Sequence, residues 1–472
     1  MSTASIPAWA GPLDVAGLAL GAVHEARAAT ERLLRAHGTD VQVTTDPELV
    51  EAAFSAIDRL RVDGRAAEPW APLSGFVAAR DGWLRLHGNY PHHATAITAA
   101  LGASTAEELA AVVAPLPAEE AAVRVLRAGG IAAVVRTPEE WRAHPHARAT
   151  ADDPWVTTQA GGAARGPRLR AHAAGAVGTG GLGAAAQVDA GPAGPRDPAA
   201  TRADLPLAGR RVLDLTRVVA GPVATQLLGC LGADVLRLDP SARPEQLDAF
   251  LAAGMGKRSA LLDLRAHRDL LEELLAGADV VVLGYRPGAL ADLGLDPAAL
   301  AARHPHLVIG ALSAWGEHGP WGDRAGFDSI VQAATGIAVR CAREDGRPGA
   351  LPVQALDHAT GFRLAAGMLD LLADGRAGVV RASLLGAART LLATGTGATS
   401  STGDGDGDGD GRAEADGGAG DGAAVGLPPA VELGTPHGRV STVPVPLLLD
   451  GVPLTGAISG YGTAAPRWDA RR

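Results

Sequence analysis

What this 472-residue chain has little of narrows it first. Aromatic side chains make up 3% of it while hydrophobic residues reach 47%, so its cores must be built from Ala, Leu and Val. Lysine is all but absent: Lys257 stands alone among 42 lysines and arginines. The formal net charge is -10 and no basic stripe offsets it, which argues against a nucleic-acid partner. Two cysteines, Cys230 and Cys341, make neither a disulfide framework nor a metal motif and fit a reducing compartment. The histidine pairs His92-His93 and His144/His146 lack a third and fourth partner at ligand spacing, so no metal is expected. No apolar run is long enough to span a bilayer, and no basic-then-apolar leader opens the sequence. A soluble, cytoplasmic protein without a membrane partner is the expectation.

What is present concentrates between Leu207 and Asp357. Arg211 to Leu215 is an apolar run of strand length. The chain turns through Ala220-Gly221-Pro222 into a helical pattern, Val223 to Leu231, ended by Gly232. Ala233 to Asp239 reads as a second strand with an acidic tip. Strand, turn, helix, strand is a βαβ unit, which requires a parallel sheet and a right-handed crossover. Further strands at Asp279 to Leu283 and Leu307 to Leu312 extend it. The fold class is therefore α/β, a doubly wound, Rossmann-like parallel sheet whose ligand belongs at the carboxyl ends of the strands. The first turn lacks GxGxxG, so a nicotinamide or flavin cofactor is not supported. It offers instead Arg217 followed by backbone amides entering a helix, which suits an anionic or nucleotide-like ligand. Lys257, beside Arg258, points the same way: a chain that otherwise uses arginine keeps one compact ammonium here.

Around this core the chain divides by composition. Residues 1–156 read as a small α+β domain. Helical spacing marks Leu13 to His37, Pro47 to Leu60, His92 to Leu101, Ala106 to Val113, Ala118 to Ala128 and Pro138 to His146. FVAARDGWLRLHG gives a hairpin about Asp81-Gly82, and Ile131 to Val135 a strand. Thr105 with Glu108 forms a capping box. Residues 157–204, rich in Ala, Gly and Pro, cannot bury enough surface to fold alone and read as a linker to the core at 205–394. Residues 395–426 form a Gly/Asp-rich linker. Its alternating Asp-Gly run lacks the twelfth-position glutamate of an EF-hand, so disorder is the better reading than calcium. Residues 427–472 form a C-terminal segment with a strand at Val443 to Leu449.

LAGRRVLDLTRVVAGPVATQLLGCLGADVLRLD, GKRSALLDL, ADVVVLGYRPGALADLGLD, AGFDSIVQAATG and DHATGF resemble, in that order, the class III CoA-transferase family (the CaiB/BaiF group). RDGWLRLHGNYPHH through VVRTPEEWRAHPHA resembles that family's smaller, distal domain. In ordinary members it follows the nucleotide-binding domain; here it precedes it, so the chain looks rearranged or fused. The resemblance implies an enzyme moving coenzyme A from an acyl-CoA thioester to a carboxylic acid. It implies no tightly bound cofactor beyond coenzyme A or acyl-CoA as substrate, and a homodimer. A side-chain carboxylate would serve as covalent relay, becoming first an anhydride and then a thioester. The family's relay aspartate matches Asp357, with an N-cap role as the alternative; Asp328 is the competing carboxylate. Coenzyme A contacts carry over to Arg217, Val218, Val219 and Ala220 in the first turn. Lys257 and Arg258 would serve phosphates, and Tyr285, Arg286, Pro287 and Gly288 would line the channel. Asp239 fills the acidic position ending the second strand, while Asp292 stands where some members place a basic residue. The family's α-methylacyl-CoA racemases carry a histidine where this chain has Phe327, which favours transfer over racemisation. A catalytically inactive CoA-binding scaffold is the third alternative.

Overall fold

The computed structural model describes residues 9–165, 205–394 and 430–469. The linker reading of 166–204 and the Asp/Gly run at 395–426 lie outside the described residues. In chain order the elements that matter are α1 (Val15–Ala36), β1 (Gly75–Ala79), β2 (Gly82–Leu86), β3 (Ala132–Val134) and β4 (Val156–Ala163). The core adds β5 (Arg211–Leu215), α2 (Ala220–Cys230), β6 (Asp234–Asp239), β7 (Lys257–Leu261), β8 (Val280–Leu283) and β9 (Val308–Ser313). It closes with α3 (Asp328–Thr335), α4 (Ala355–Ala373) and β10 (Arg376–Ser383).

Seven strands form one mixed sheet in the order β7-β6-β5-β8-β9-β10-β4, the first six parallel and β4 antiparallel against β10. Val212, Leu213, Val281, Val282 and Ile309 are wholly buried, as expected of parallel strands covered by helices on both faces. Helix α4 runs against α2 at very close range. A Cβ at Gly361 would lie 2.4 Å from the Ala220 carbonyl oxygen, so only glycine permits the approach. Helix α1 packs along the other side of α4, with Glu25 bonded to Arg363 and Arg32 to Asp370 at 2.7 Å.

Three sequence expectations change. Residues 157–163 are not linker: β4 supplies the antiparallel edge of the large sheet, and Gly161 packs across Gly378 of β10. Small residues read as unfoldable on hydrophobicity alone hold here through ladder hydrogen bonds. Lys257–Leu261 and Arg376–Ser383 are strands that periodicity did not mark, because charged residues interrupt them. The tail forms a hairpin, Val431–Thr435 with Gly438–Thr442, whereas Val443 to Leu447 is irregular. That hairpin pairs with Arg61–Val62, and Val43–Thr44 pairs with Leu448–Leu449, so the first and last segments complete each other's sheets. The expected hairpin β1–β2 is present, joined by β3 into a small sheet under the helices Pro91–Leu101, Ala106–Val113 and Ala118–Arg127. Thr105 and Glu108 form the expected capping box.

The lone lysine is part of this core. Lys257 Nζ donates to the Pro222 carbonyl at 2.7 Å and to Asp214 Oδ2 at 3.3 Å, and both charged side chains are wholly buried. Asp214 also accepts from the hydroxyls of Thr216 and Thr225. Burial lowers the Lys257 pKa to about 8 against the opposing pull of Asp214. Removing one member of such a pair strands the other, at a cost of about 3–5 kcal/mol. Lys257→Met should therefore lower unfolding free energy by about that much in chemical denaturation, while Arg258→Ala, in a half-exposed pair with Asp234, should cost about 1 kcal/mol or less. Equal effects would contradict a buried structural role for Lys257.

Candidate active site

The carboxyl ends of β5, β6, β8 and β9 open into a cavity of about 600 Å³. Its walls include Arg217 and Val218 after β5, Pro240 after β6, Tyr285 after β8 and Ser313 of β9. This is the crevice where strand order reverses between β5 and β8. Five arginines, Arg217, Arg243, Arg265, Arg286 and Arg324, line it against two acids, Asp263 and Asp357.

The turn after β5 is held in an unusual shape. Val218 has φ 60°, a conformation that β-branched residues avoid, and its amide donates to Glu245 Oε2 at 2.8 Å. Glu245 also accepts from Arg237 at 2.9 Å and from the Tyr90 hydroxyl at 2.6 Å. Arg217 lies over the Tyr90 ring at 4.4 Å and donates to the Pro244 carbonyl at 2.7 Å. The strained turn is thus fixed by a buried charge cluster that spans both halves of the chain.

A second cavity, of about 550 Å³, lies on the other side of Phe327 and Val218. Its walls are more apolar than polar, among them Phe54, Trp70, Leu351, Phe362 and Val445, with Arg65, Arg85, His87 and the acids Asp58, Glu68 and Asp248 among the polar members. Residues from the first segment, the core and the tail all contribute. Asp357 lines both cavities.

Asp357 stands in the first turn of α4, where Gln354 is the N-cap, so the alternative N-cap role is ruled out. Its amide donates to Asp328 Oδ2 at 3.0 Å, and Gln332 Nε2 donates to Asp328 Oδ1. Asp328, at the start of α3, is wholly buried. Burial raises its pKa to about 6 despite the donors from Gln332 and the backbone of Asp357 and Leu356. Burial also pushes Asp357 well above the ordinary carboxylate range, and the neighbouring Asp328 charge adds to the rise. Both carboxyls are therefore harder to ionise than ordinary ones. The amides at the start of α4 serve Asp328 rather than Asp357.

The expected contacts sort clearly. Arg217, Val218, Ala220, Tyr285 and Arg286 line the arginine-rich cavity with Asp357, and Val219 lines the apolar one. Pro287 and Gly288 shape the turn after β8 but line neither cavity. Lys257 and Arg258 line neither: the first is spent on Asp214, the second on Asp234. Asp239 is taken by Arg237, at 2.7 and 3.1 Å, and Asp292 by Arg265 and Arg268. Phe327 stacks on His87, ring centroids 3.9 Å apart and planes 8° from parallel. Sequence reasoning missed His87, Trp70 and Arg85. Arg85 and His87 belong to the hairpin run and Trp70 to the irregular chain before it, but nothing local shows that the hairpin packs against α3.

Among the described residues no group of three or more His, Cys, Asp or Glu could hold a metal, and no single helix is long and apolar enough to cross a membrane.

Residues 207–417 match the family model described as CoA-transferase family III. The chain is 36% identical over 208 residues to the probable fatty acyl-CoA transferase Rv3272 of Mycobacterium tuberculosis, covering 40% of this chain and 52% of that protein. It is 36% identical over 188 residues to the succinyl-CoA:glutarate CoA-transferase of Mus musculus, covering 37% of this chain and 43% of the mouse protein. The crystal structure of Rv3272 aligns at 37% identity and TM-score 0.38, covering 40% of this chain and 56% of that one. The match therefore spans about half the length of these relatives.

The carboxylate pair makes a titration prediction. Because folding raises the pKa of Asp328 from 3.8 to about 6, the folded chain holds its proton more tightly, and stability from this group is lost as pH rises across that interval. Asp328→Asn should flatten that loss in denaturation curves between pH 4 and 6. It should also lower the Asp357 pKa, read by carboxyl-carbon NMR, since a like charge has gone. An unmoved Asp357 titration would contradict the coupling.

Proposed function

We propose that this chain, whose residues 207–417 belong to CoA-transferase family III, moves coenzyme A between carboxylic acids with Asp357 as covalent relay. The observation that carries the reading is the position of Asp357 in the shared wall of an arginine-rich cavity and an apolar one. The first suits coenzyme A: its arginines match phosphate groups, and it opens at the strand ends where a doubly wound sheet takes a nucleotide. The sheet order and the cavity's place at the β5/β8 reversal support a Rossmann-like CoA-binding unit over residues 205–394. The apolar cavity suits the acyl group.

The steps follow from that placement. The Asp357 carboxylate attacks the thioester carbonyl, forming an acyl-aspartyl anhydride and releasing CoA thiolate. The thiolate attacks the aspartyl carbonyl, giving an aspartyl-CoA thioester and the free donor acid. The acceptor carboxylate attacks that thioester, forming a second anhydride and thiolate. The thiolate then attacks the acceptor's carbonyl, so acyl-CoA leaves and Asp357 is restored. Each carbonyl attack places negative charge on oxygen. Burial and the Asp328 charge make Asp357 harder to ionise than an ordinary carboxylate, and only its ionised form attacks. Its raised basicity then makes it a stronger nucleophile than an ordinary carboxylate.

A second reading, proton transfer at the α-carbon of an acyl-CoA, is favoured by one observation. Burial holds His87 neutral, with its pKa near 3 and its Nδ1 without a partner, and its ring stacks on the Phe327 that stands where racemases have histidine. Deuterium entering the α-carbon from heavy water would establish that reading, and its absence would remove it. An inactive scaffold explains neither the shared wall nor the carboxylate pair. Such an enzyme works on small-molecule acyl-CoA and acid, and we place it as a homodimer in the cytoplasm.

Asp357→Ala should abolish CoA exchange between an acyl-CoA and a free acid while leaving CoA binding by calorimetry within about twofold, since the phosphate contacts lie elsewhere. Exchange that survives the substitution would refute the relay. In the intact chain, kcat/KM for the acyl-CoA should fall as pH drops through an apparent pKa above the carboxylate range, because only the ionised Asp357 attacks. Asp328→Asn should move that limb to lower pH, and a limb near pH 4 in the parent chain would contradict the account.

A further inference from the structure

Arg85 sits in β2 with its side chain 8% exposed, and it lines the apolar cavity. Among the described residues its guanidinium makes no hydrogen bond and no ion pair, and its Nε is buried without a partner. Its Cζ lies 5.0 Å from the Trp70 ring centroid and 4.7 Å from that of Phe76. Aromatic faces stabilise a cation, but they do not replace the acceptors that five N–H groups require. Burial lowers the Arg85 pKa to about 10, with the Asp328 charge pulling the other way, so it remains charged at neutral pH. A buried, charged and unpaired guanidinium is costly unless an anion completes it.

The other arginine of this wall and its asparagine are already engaged. Arg65 holds Asp248 at 2.7 Å, and Asn89 is bonded to Ser74 and to the Pro69 carbonyl. Arg85 and Asp357 both line this cavity.

We propose that Arg85 receives the distal carboxylate of a dicarboxylic substrate whose other end is the one that reacts at Asp357. The assignment of the reacting end rests on the transferase reading; the anion site at Arg85 does not. A substrate with a single carboxylate would leave the guanidinium unpaired at every step. A diacid places hydrocarbon against the apolar wall and a charge at each end. Arg85 lies outside residues 207–417, so the segment preceding the core would set which acid is used.

The test is calorimetric binding to the full chain of straight-chain dicarboxylates from succinate to suberate, each compared with its monomethyl ester. At the best-fitting length the diacid should bind about tenfold or more tightly than its ester. Arg85→Met should bring the two to equal affinity, and Arg85→Lys should keep part of the difference. A parent chain that binds ester and diacid alike at every length overturns the proposal, as does a preference that survives in Arg85→Met. If Arg85→Met does not fold, by circular dichroism, the comparison in the parent chain decides alone. CoA exchange lost in Asp357→Ala, together with no diacid preference, would retain the transferase and discard the Arg85 site. A diacid preference without any CoA exchange would do the reverse.

Discussion

Two carboxylates brought together, one wholly buried and one at the wall of two cavities, set the terms for everything else in this molecule. Asp328 and Asp357 begin neighbouring helices, and the amide of one is held by the side chain of the other at 3.0 Å. Burial and the Asp328 charge together make Asp357 resist ionisation. Helix α4 can bring Asp357 there only because Gly361 allows it to lie against α2. The pairing therefore depends on the sheet, on the two helices, and on one residue with no side chain.

The shared wall explains why a short β-α-β core is not the whole site. One side of Asp357 faces the strand ends, where backbone and arginines are supplied by residues 205–394. The other side faces a wall that the core shares with residues 53–89 and with Val443 to Pro446 of the tail. These outer segments pair through two small sheets, so the apolar cavity is closed by chain ends that meet each other. A protein cut to its core would keep the arginine-rich crevice and lose the part of the apolar wall that includes Phe54, Trp70, Arg85 and Val445.

Much of the core was legible because parallel strands buried on both faces are written as apolar runs between Gly-marked turns. Arg211 to Leu215 and Asp234 to Asp239 show this plainly. Asp357 and Asp328 stood out by motif, and their association emerged only from the packing of α3 beside α4. Lys257 shows the opposite case. Its rarity suggested a ligand, but a buried strand position beside Asp214 gives a structural use for a compact ammonium. Arg85 and His87 were invisible as site residues, because alternation along a hairpin tells which face a side chain takes and not what covers that face. β4 was missed because its small residues carry no hydrophobic signal and are held by the ladder to β10.

The central claim is that an acyl group and then coenzyme A reside in turn on Asp357, and isotope transfer tests it most directly. The chain is given an acyl-CoA and an acceptor acid labelled with ¹⁸O in its carboxylate, and the peptide containing Asp357 is weighed after turnover. The account predicts that Asp357 acquires ¹⁸O, because the bridging oxygen of the second anhydride comes from the acceptor and stays behind when the thiolate departs with the acyl group. Product acyl-CoA formed while that peptide remains unlabelled would contradict it.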